Sequence, residues 1–232
     1  SFAFSYLYNL KSVSLPESIT KIGNYAFCDS KLTEIILPEG LTDIGMYAFN
    51  GCEALTTVTI PETLVNLGEG CFFSCNALTS VSIPGSVVRI PKYAFYGCSN
   101  LGRVTISDGV TAIGDRAFYN CEHLTRISVP ASVTSIGECA FWCCGGMTKI
   151  TLKEGLESIG NSAFVGCSGL TEITIPSTVT NMGTRVFEDC HGMKTVTLKC
   201  PITEIGEYMF KGNMLSQESD SYGQMKRILE DY

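Results

Sequence analysis

Residues 124–146 read LTRISVPASVTSIGECAFWCCGG, and this 23-residue stretch decides the fold because its pattern recurs along the whole chain. The pair Ile136-Gly137 has counterparts at Ile22-Gly23, Ile44-Gly45, Leu67-Gly68, Ile90-Pro91, Ile113-Gly114, Ile159-Gly160, Met182-Gly183 and Ile205-Gly206. The first interval is 22 residues and each later one is 23. Five residues after each Ile, Leu or Met comes a phenylalanine, from Phe27 through Phe118 and Phe141 to Phe210, and Phe4 makes a tenth. Self-similarity at this period is the signature of a stacked solenoid, in which one coil cannot bury its apolar side alone and its neighbours do so.

Within the stretch, Leu124, Ile127 and Val129 are apolar while Thr125, Arg126 and Ser128 are polar. The spacing of two between Ile127 and Val129 predicts a half-buried strand. Proline follows at Pro16, Pro38, Pro61, Pro84, Pro130 and Pro176, where its missing N–H ends the strand and turns the chain. A second apolar pair, Val133 and Ile136 here, predicts a short second strand, and the following glycine permits a tight turn. The recurrent Ala-Phe-x-Gly-Cys segment predicts a short helical or 3₁₀ turn. The expected architecture is a β-rich repeat solenoid of about ten 23-residue coils over residues 1–213, with a parallel strand ladder. Beyond it the pattern fails. Residues 214–232 read as a polar loop and then an amphipathic helix (Met225, Ile228, Leu229, Tyr232) that Ser221 could cap and that would close the open end.

Written as L-x-x-I-x-I-P-x-x-V-x-x-I-G-x-x-A-F-x-x-C, the pattern resembles the BspA-like leucine-rich repeat over about residues 3–213. The resemblance implies a leucine-rich-repeat type solenoid in a bacterial, sometimes protist, surface or secreted protein that binds host or bacterial proteins. Composition narrows the alternatives. With 45% hydrophobic and 17% charged residues the chain is a folding one. A net charge of −7 argues against the phosphate attraction behind most nucleic-acid binding. No run approaches the apolar length of a membrane span. Residues 1–10 lack the features of a signal peptide, and because the chain starts inside a repeat it reads as a fragment of something longer.

Seven of the twelve cysteines hold one phase, three after the phenylalanine: Cys52, Cys75, Cys98, Cys121, Cys144, Cys167 and Cys190. They read as a ladder of small buried thiols that help satisfy turn carbonyls. Neighbouring coils would hold them about 4.8 Å apart at Cβ, wider than the ~3.8 Å of a disulfide. Cys139, Cys143 and Cys144 crowd around Trp142, but no CxxC spacing supports a metal, and His123 and His191 sit in other phases. No cofactor is implied. Catalysis needs unlike groups converging on a pocket, whereas a solenoid makes stripes of like groups, so no catalytic residue is expected.

Three stripes stand out. Phe73, Tyr96, Tyr119 and Trp142 follow the core phenylalanine in four successive coils. Other coils place Cys28, Asn50, Val165, Glu188 and Lys211 there, a mixture that predicts exposure and makes the aromatics a candidate interface as well as a candidate structural stack. Arg103, Arg126 and Lys149 are three bases in consecutive coils of an acidic chain. Like charges on adjacent strands repel, so nearby acids such as Glu122 and Glu172, or an acidic protein segment or anionic glycan, must compensate. Ser82, Thr105, Ser128, Thr151, Thr174 and Thr197 make the strand face rich in hydroxyls, without the aromatic platform a sugar site uses. The expected function is an extracellular or cell-surface protein-binding or adhesion module whose partner is a protein, with a glycan as a further possibility. A structural spacer and an intracellular scaffold are the alternatives, and the thiols suit either a reducing cytosol or burial during export.

Overall fold

The computed structural model describes residues 3–200 and 206–213. The loop and capping helix expected at 214–232 lie outside the described residues. Among the described residues seven coils contribute two strands each, with β1 at one end and β16 at the other contributing singly. The longer ones are β2 (Glu34–Ile36), β4 (Thr57–Thr59), β6 (Ser80–Ile83), β8 (Arg103–Ile106), β10 (Arg126–Val129), β12 (Lys149–Leu152), β14 (Glu172–Ile175) and β16 (Thr195–Leu198). The shorter ones are β1 (Lys21–Ile22), β3 (Asp43–Ile44), β5 (Asn66–Leu67), β7 (Arg89–Ile90), β9 (Ala112–Ile113), β11 (Ser135–Ile136), β13 (Ser158–Ile159) and β15 (Asn181–Met182). Every pairing joins neighbouring coils and is parallel, with equivalent residues opposite one another: Ile127 faces Ile150, and Ile136 faces Ile159. The long strands form one six-stranded sheet from β2 to β12 and a two-stranded sheet of β14 and β16.

The predicted two-residue alternation holds on the long strands, where Arg126 and Ser128 are exposed while Ile127 and Val129 are buried. Between the sheets runs the core. Ten phenylalanine rings from Phe4 to Phe210 stack in one column, with centroids 5.2–5.7 Å apart and planes within 12° of parallel. Rings from Phe27 to Phe187 are essentially inaccessible to solvent. Burial of such a ring contributes several kcal/mol, and here each also gains a stacking contact on both faces.

The turn carrying the phenylalanine has the expected i→i+3 hydrogen bonds, as from Ala117 N–H to Gly114 O and from Tyr119 N–H to Arg116 O. It does not run on as a helix, because Arg116 (φ 53°) and Asn120 (φ 60°) are left-handed, as are their equivalents in other coils. The consequence is a third ladder. Alternate N–H groups point out of the coil, so that Arg116, Phe118 and Asn120 donate to Glu138 O, Ala140 O and Trp142 O of the next coil at 2.7–2.8 Å. A helix would have kept all these donors to itself. The glycine after each short strand has a spatial cause: a Cβ on Gly68 would stand 2.3 Å from the carbonyl carbon of Gly45. Adjacent coils touch backbone to backbone there. Among the described residues no helix is long and apolar enough to cross a membrane.

Candidate functional site

The cysteine phase is structural. Cys52, Cys75, Cys98, Cys121, Cys144, Cys167 and Cys190 are buried, and each Sγ donates to the carbonyl of the preceding coil's phenylalanine at 3.0–3.3 Å. Burial pushes the Cys52 thiol up to about 11 and the Cys190 thiol up to about 12. It holds Cys75, Cys121, Cys144 and Cys167 well above the ordinary thiol range. Such thiols stay protonated, which suits S–H donation and opposes nucleophilic chemistry. All twelve cysteines are free. Among the described residues no cluster of His, Cys, Asp and Glu could hold a metal ion.

The structure turns the aromatic stripe into a longer object. Phe73 stacks on Tyr96 at 4.5 Å, Tyr96 on Tyr119 at 4.6 Å, and Tyr119 on Trp142 at 5.9 Å. Tyr25, Tyr47 and Tyr93, which sit two residues before the core phenylalanine instead of one after it, join the same ridge. Tyr25 stacks on Tyr47, Tyr47 reaches Phe73, and Tyr93 meets both Phe73 and Tyr96 edge-on. Gly70 makes the crossing possible, since a Cβ there would lie 2.3 Å from the Tyr47 ring. Burial is the main cause that raises the Tyr47 and Tyr119 hydroxyl pKa values above the ordinary phenol range. The ridge is therefore half-buried, with ring faces spent on one another.

Exposure inferred from the mixture of residues at this phase is corrected at three positions. Glu188 is buried, because Lys211 at 3.1 Å and Arg185 at 3.8 Å neutralise it. Val165 and Cys28 are buried as well. A charged residue in a phase marks exposure only when no partner travels with it.

The basic row stands differently. Arg103, Arg126 and Lys149 are all exposed at the first position of β8, β10 and β12, and Arg126 lies directly opposite both others. Glu122 and Glu172 do not compensate them by ion pairing. Glu122 accepts from Asn120, and among the described residues none of the three bases has a carboxylate within 4.0 Å. The bases border a shallow depression of about 330 Å³ whose other flank carries Thr105, Ser128 and Thr151. A second depression of about 320 Å³ continues past Lys149 to Glu172 and Thr195.

The hydroxyl rows divide in two. Thr33, Thr56, Thr79, Thr125 and Thr148 spend theirs on the backbone carbonyl one coil back. The backbones of Thr105, Ser128 and Thr151 belong to the strand ladder, but their side-chain hydroxyls make no protein hydrogen bond among the described residues, which leaves those hydroxyls free for a ligand. The aromatic ridge belongs to the turn ladder and the basic row to the long sheet. Among the described residues no cation–π contact or hydrogen bond connects them.

The comparisons agree with this architecture. The profile of the BspA type leucine rich repeat region matches residues 1–106 and 88–216. A leucine-rich repeat protein from Bacteroides ovatus is 27% identical with a TM-score of 0.59, over 90% of this chain and 66% of that one. A leucine rich cell surface protein from Faecalibacterium prausnitzii is 28% identical with a TM-score of 0.62, over 89% of this chain and 65% of that one. The Treponema pallidum leucine-rich-repeat protein, 24% identical with a TM-score of 0.62 over 90% of this chain and 87% of its own, shares the fold. This chain thus spans just under two thirds of the first two relatives. No curated protein matches it. By its profile, its ladders and its phenylalanine column, the chain belongs to the BspA-type leucine-rich-repeat family.

Proposed function

We propose that the chain is a protein-binding module of an extracellular or cell-surface protein, and that it engages its partner with the long-strand face around Arg103, Arg126 and Lys149. The observation that carries this reading is the uncompensated row: three cations stacked in register on a rigid sheet, without an ion pair among the described residues, on a chain of net charge −7. Placing like charges opposite one another costs stability. A partner that supplies acidic groups offsets that cost and gains affinity and a faster encounter. The description of the Faecalibacterium prausnitzii relative as a cell surface protein supports the location. The aromatic ridge is assigned to stability, because its ring faces are occupied by neighbouring rings. Wet, exposed hydroxyls without an aromatic platform make this face a weaker fit to a sugar.

The test is a comparison of captured proteins. Immobilised wild-type chain and the R103S/R126S/K149S variant are exposed to the same surface-protein extract, with thermal unfolding measured on both. The three side chains are exposed, so the variant is expected to fold with an unchanged melting temperature and to lose the captured partner. Capture of the same proteins in the same amounts by both would remove the basic row from the account.

A further inference from the structure

The charged row does not end at Lys149. In the next coil the same position holds Glu172, also exposed, and beyond it stands Thr195, while Ser80 precedes Arg103. Read along the solenoid axis, the row is neutral, three positive, one negative, neutral. Paired parallel strands lie about 4.8 Å apart, which puts the three cations at roughly 0, 4.8 and 9.6 Å; β14 heads the next sheet and is not hydrogen-bonded to β12, but Phe141 and Phe164 of the same two coils are 5.4 Å apart, so Glu172 falls at about 15 Å. This sequence of signs and this spacing together select among anionic partners.

A polymer with uniform negative charge matches the three cations and then meets Glu172. An acidic segment in extended conformation fails for a geometric reason. Its same-face side chains repeat every ~6.8 Å, so its third carboxylate falls near 13.6 Å, beside Glu172 and not beside a cation. An α-helix lying along the solenoid axis fits. With a rise of about 1.5 Å per residue, side chains at i, i+3, i+7 and i+10 stand at roughly 0, 4.5, 10.5 and 15 Å. Each lies within about 1 Å of a charge in the row, a difference that flexible Arg and Lys side chains absorb. A helix about 10 Å across would also cover the parallel row of Thr105, Ser128 and Thr151, whose hydroxyls are free to bond its polar side chains.

The geometry points to an amphipathic helix of a partner protein as the ligand, with carboxylates at i, i+3 and i+7 and a basic residue at i+10. The helix docks parallel to the solenoid axis across β8, β10, β12 and β14. This rests on the proposed protein-binding role of the same face and specifies its partner. Binding held by exposed charges is salt-sensitive, with an affinity set by the sum of small contributions.

The probe is an alanine-based, end-blocked 18-residue helical peptide with carboxylates at its fourth, seventh and eleventh positions and a lysine at its fourteenth. Its binding to the full chain is followed by fluorescence anisotropy at low ionic strength. R103S/R126S/K149S is expected to lower affinity by about 30-fold, from roughly threefold for each exposed pair. E172K is expected to lower it about threefold, and a peptide with glutamate in place of its lysine should recover the loss. Inorganic polyphosphate is the control for a uniform polyanion, and E172K should strengthen its binding. The assignment fails if the peptide does not bind the wild-type chain or if E172K strengthens peptide binding. It fails equally if a copy of the same composition broken by prolines binds as well as the helix. The peptide can fail while partner capture still depends on the three bases; the helical ligand is then wrong and the binding face stands. If capture is indifferent to the bases, the face itself falls.

Discussion

Replacing Phe118 with alanine tests the central physical claim, that stacked rings between rigid coils hold the solenoid together. Phe118 is fully buried and lies 5.4 Å from both Phe95 and Phe141, with planes within 6°. Core Phe→Ala changes cost about 3–5 kcal/mol through lost transfer energy and the cavity left behind. The cost here belongs in the upper half of that range, about 4 kcal/mol, because the walls cannot close. Backbone bonds of 2.8 Å from Phe95 N–H to Ala117 O and from Phe118 N–H to Ala140 O fix the spacing of the coils on either side. Phe4 supplies the internal control. It is 40% exposed and, among the described residues, stacks on Phe27 alone, so the same change there should cost about 1–2 kcal/mol. Urea unfolding followed by far-UV circular dichroism gives both values, and amide exchange locates the loss. In a solenoid whose stability is a sum of nearest-neighbour terms, the Phe118 lesion weakens two interfaces in the middle and should split or broaden the transition. Equal losses at the two positions, or less than about 2 kcal/mol at Phe118, would refute the reasoning.

Two glycines should respond in opposite directions. Gly68→Ala forces a Cβ against the Gly45 backbone and is expected to cost about 3 kcal/mol or more, whereas Gly102→Thr has ordinary room and restores the residue found in this phase elsewhere. The latter should raise stability by about 0.5–1 kcal/mol in the same urea assay, through a less flexible unfolded chain and a better strand residue. The thiols should make the fold sensitive to alkali. Folded pKa values of about 11 for Cys52 and about 12 for Cys190 exceed the unfolded value, so their contribution is complete below pH ~9 and is lost as pH rises through the folded values. Thermal unfolding between pH 8 and 11 should show the melting temperature falling above pH ~9. A thiol reagent at pH 8 should label half-buried Cys143 before any ladder cysteine.

The repeat by itself determined the period, the phenylalanine column, both strands of each coil and the place of the seven ladder cysteines. A parallel solenoid sets each residue beside its own equivalent one period away, so comparing like phases reports real contacts. Contacts between unlike phases were not legible in this way. Tyr47 reaches Phe73 across phases because its backbone is left-handed and Gly70 leaves room, and neither condition shows in a count of aromatic spacings. Glu188 looked exposed by its charge and is buried because Arg185 and Lys211 meet it from two other positions. The basic row was visible as a stripe, but that no carboxylate among the described residues pairs with it required the positions of those carboxylates. Stacking along the axis is encoded one coil at a time and therefore lies in the sequence. What crosses the axis depends on backbone handedness and side-chain direction, which only the tertiary structure decided.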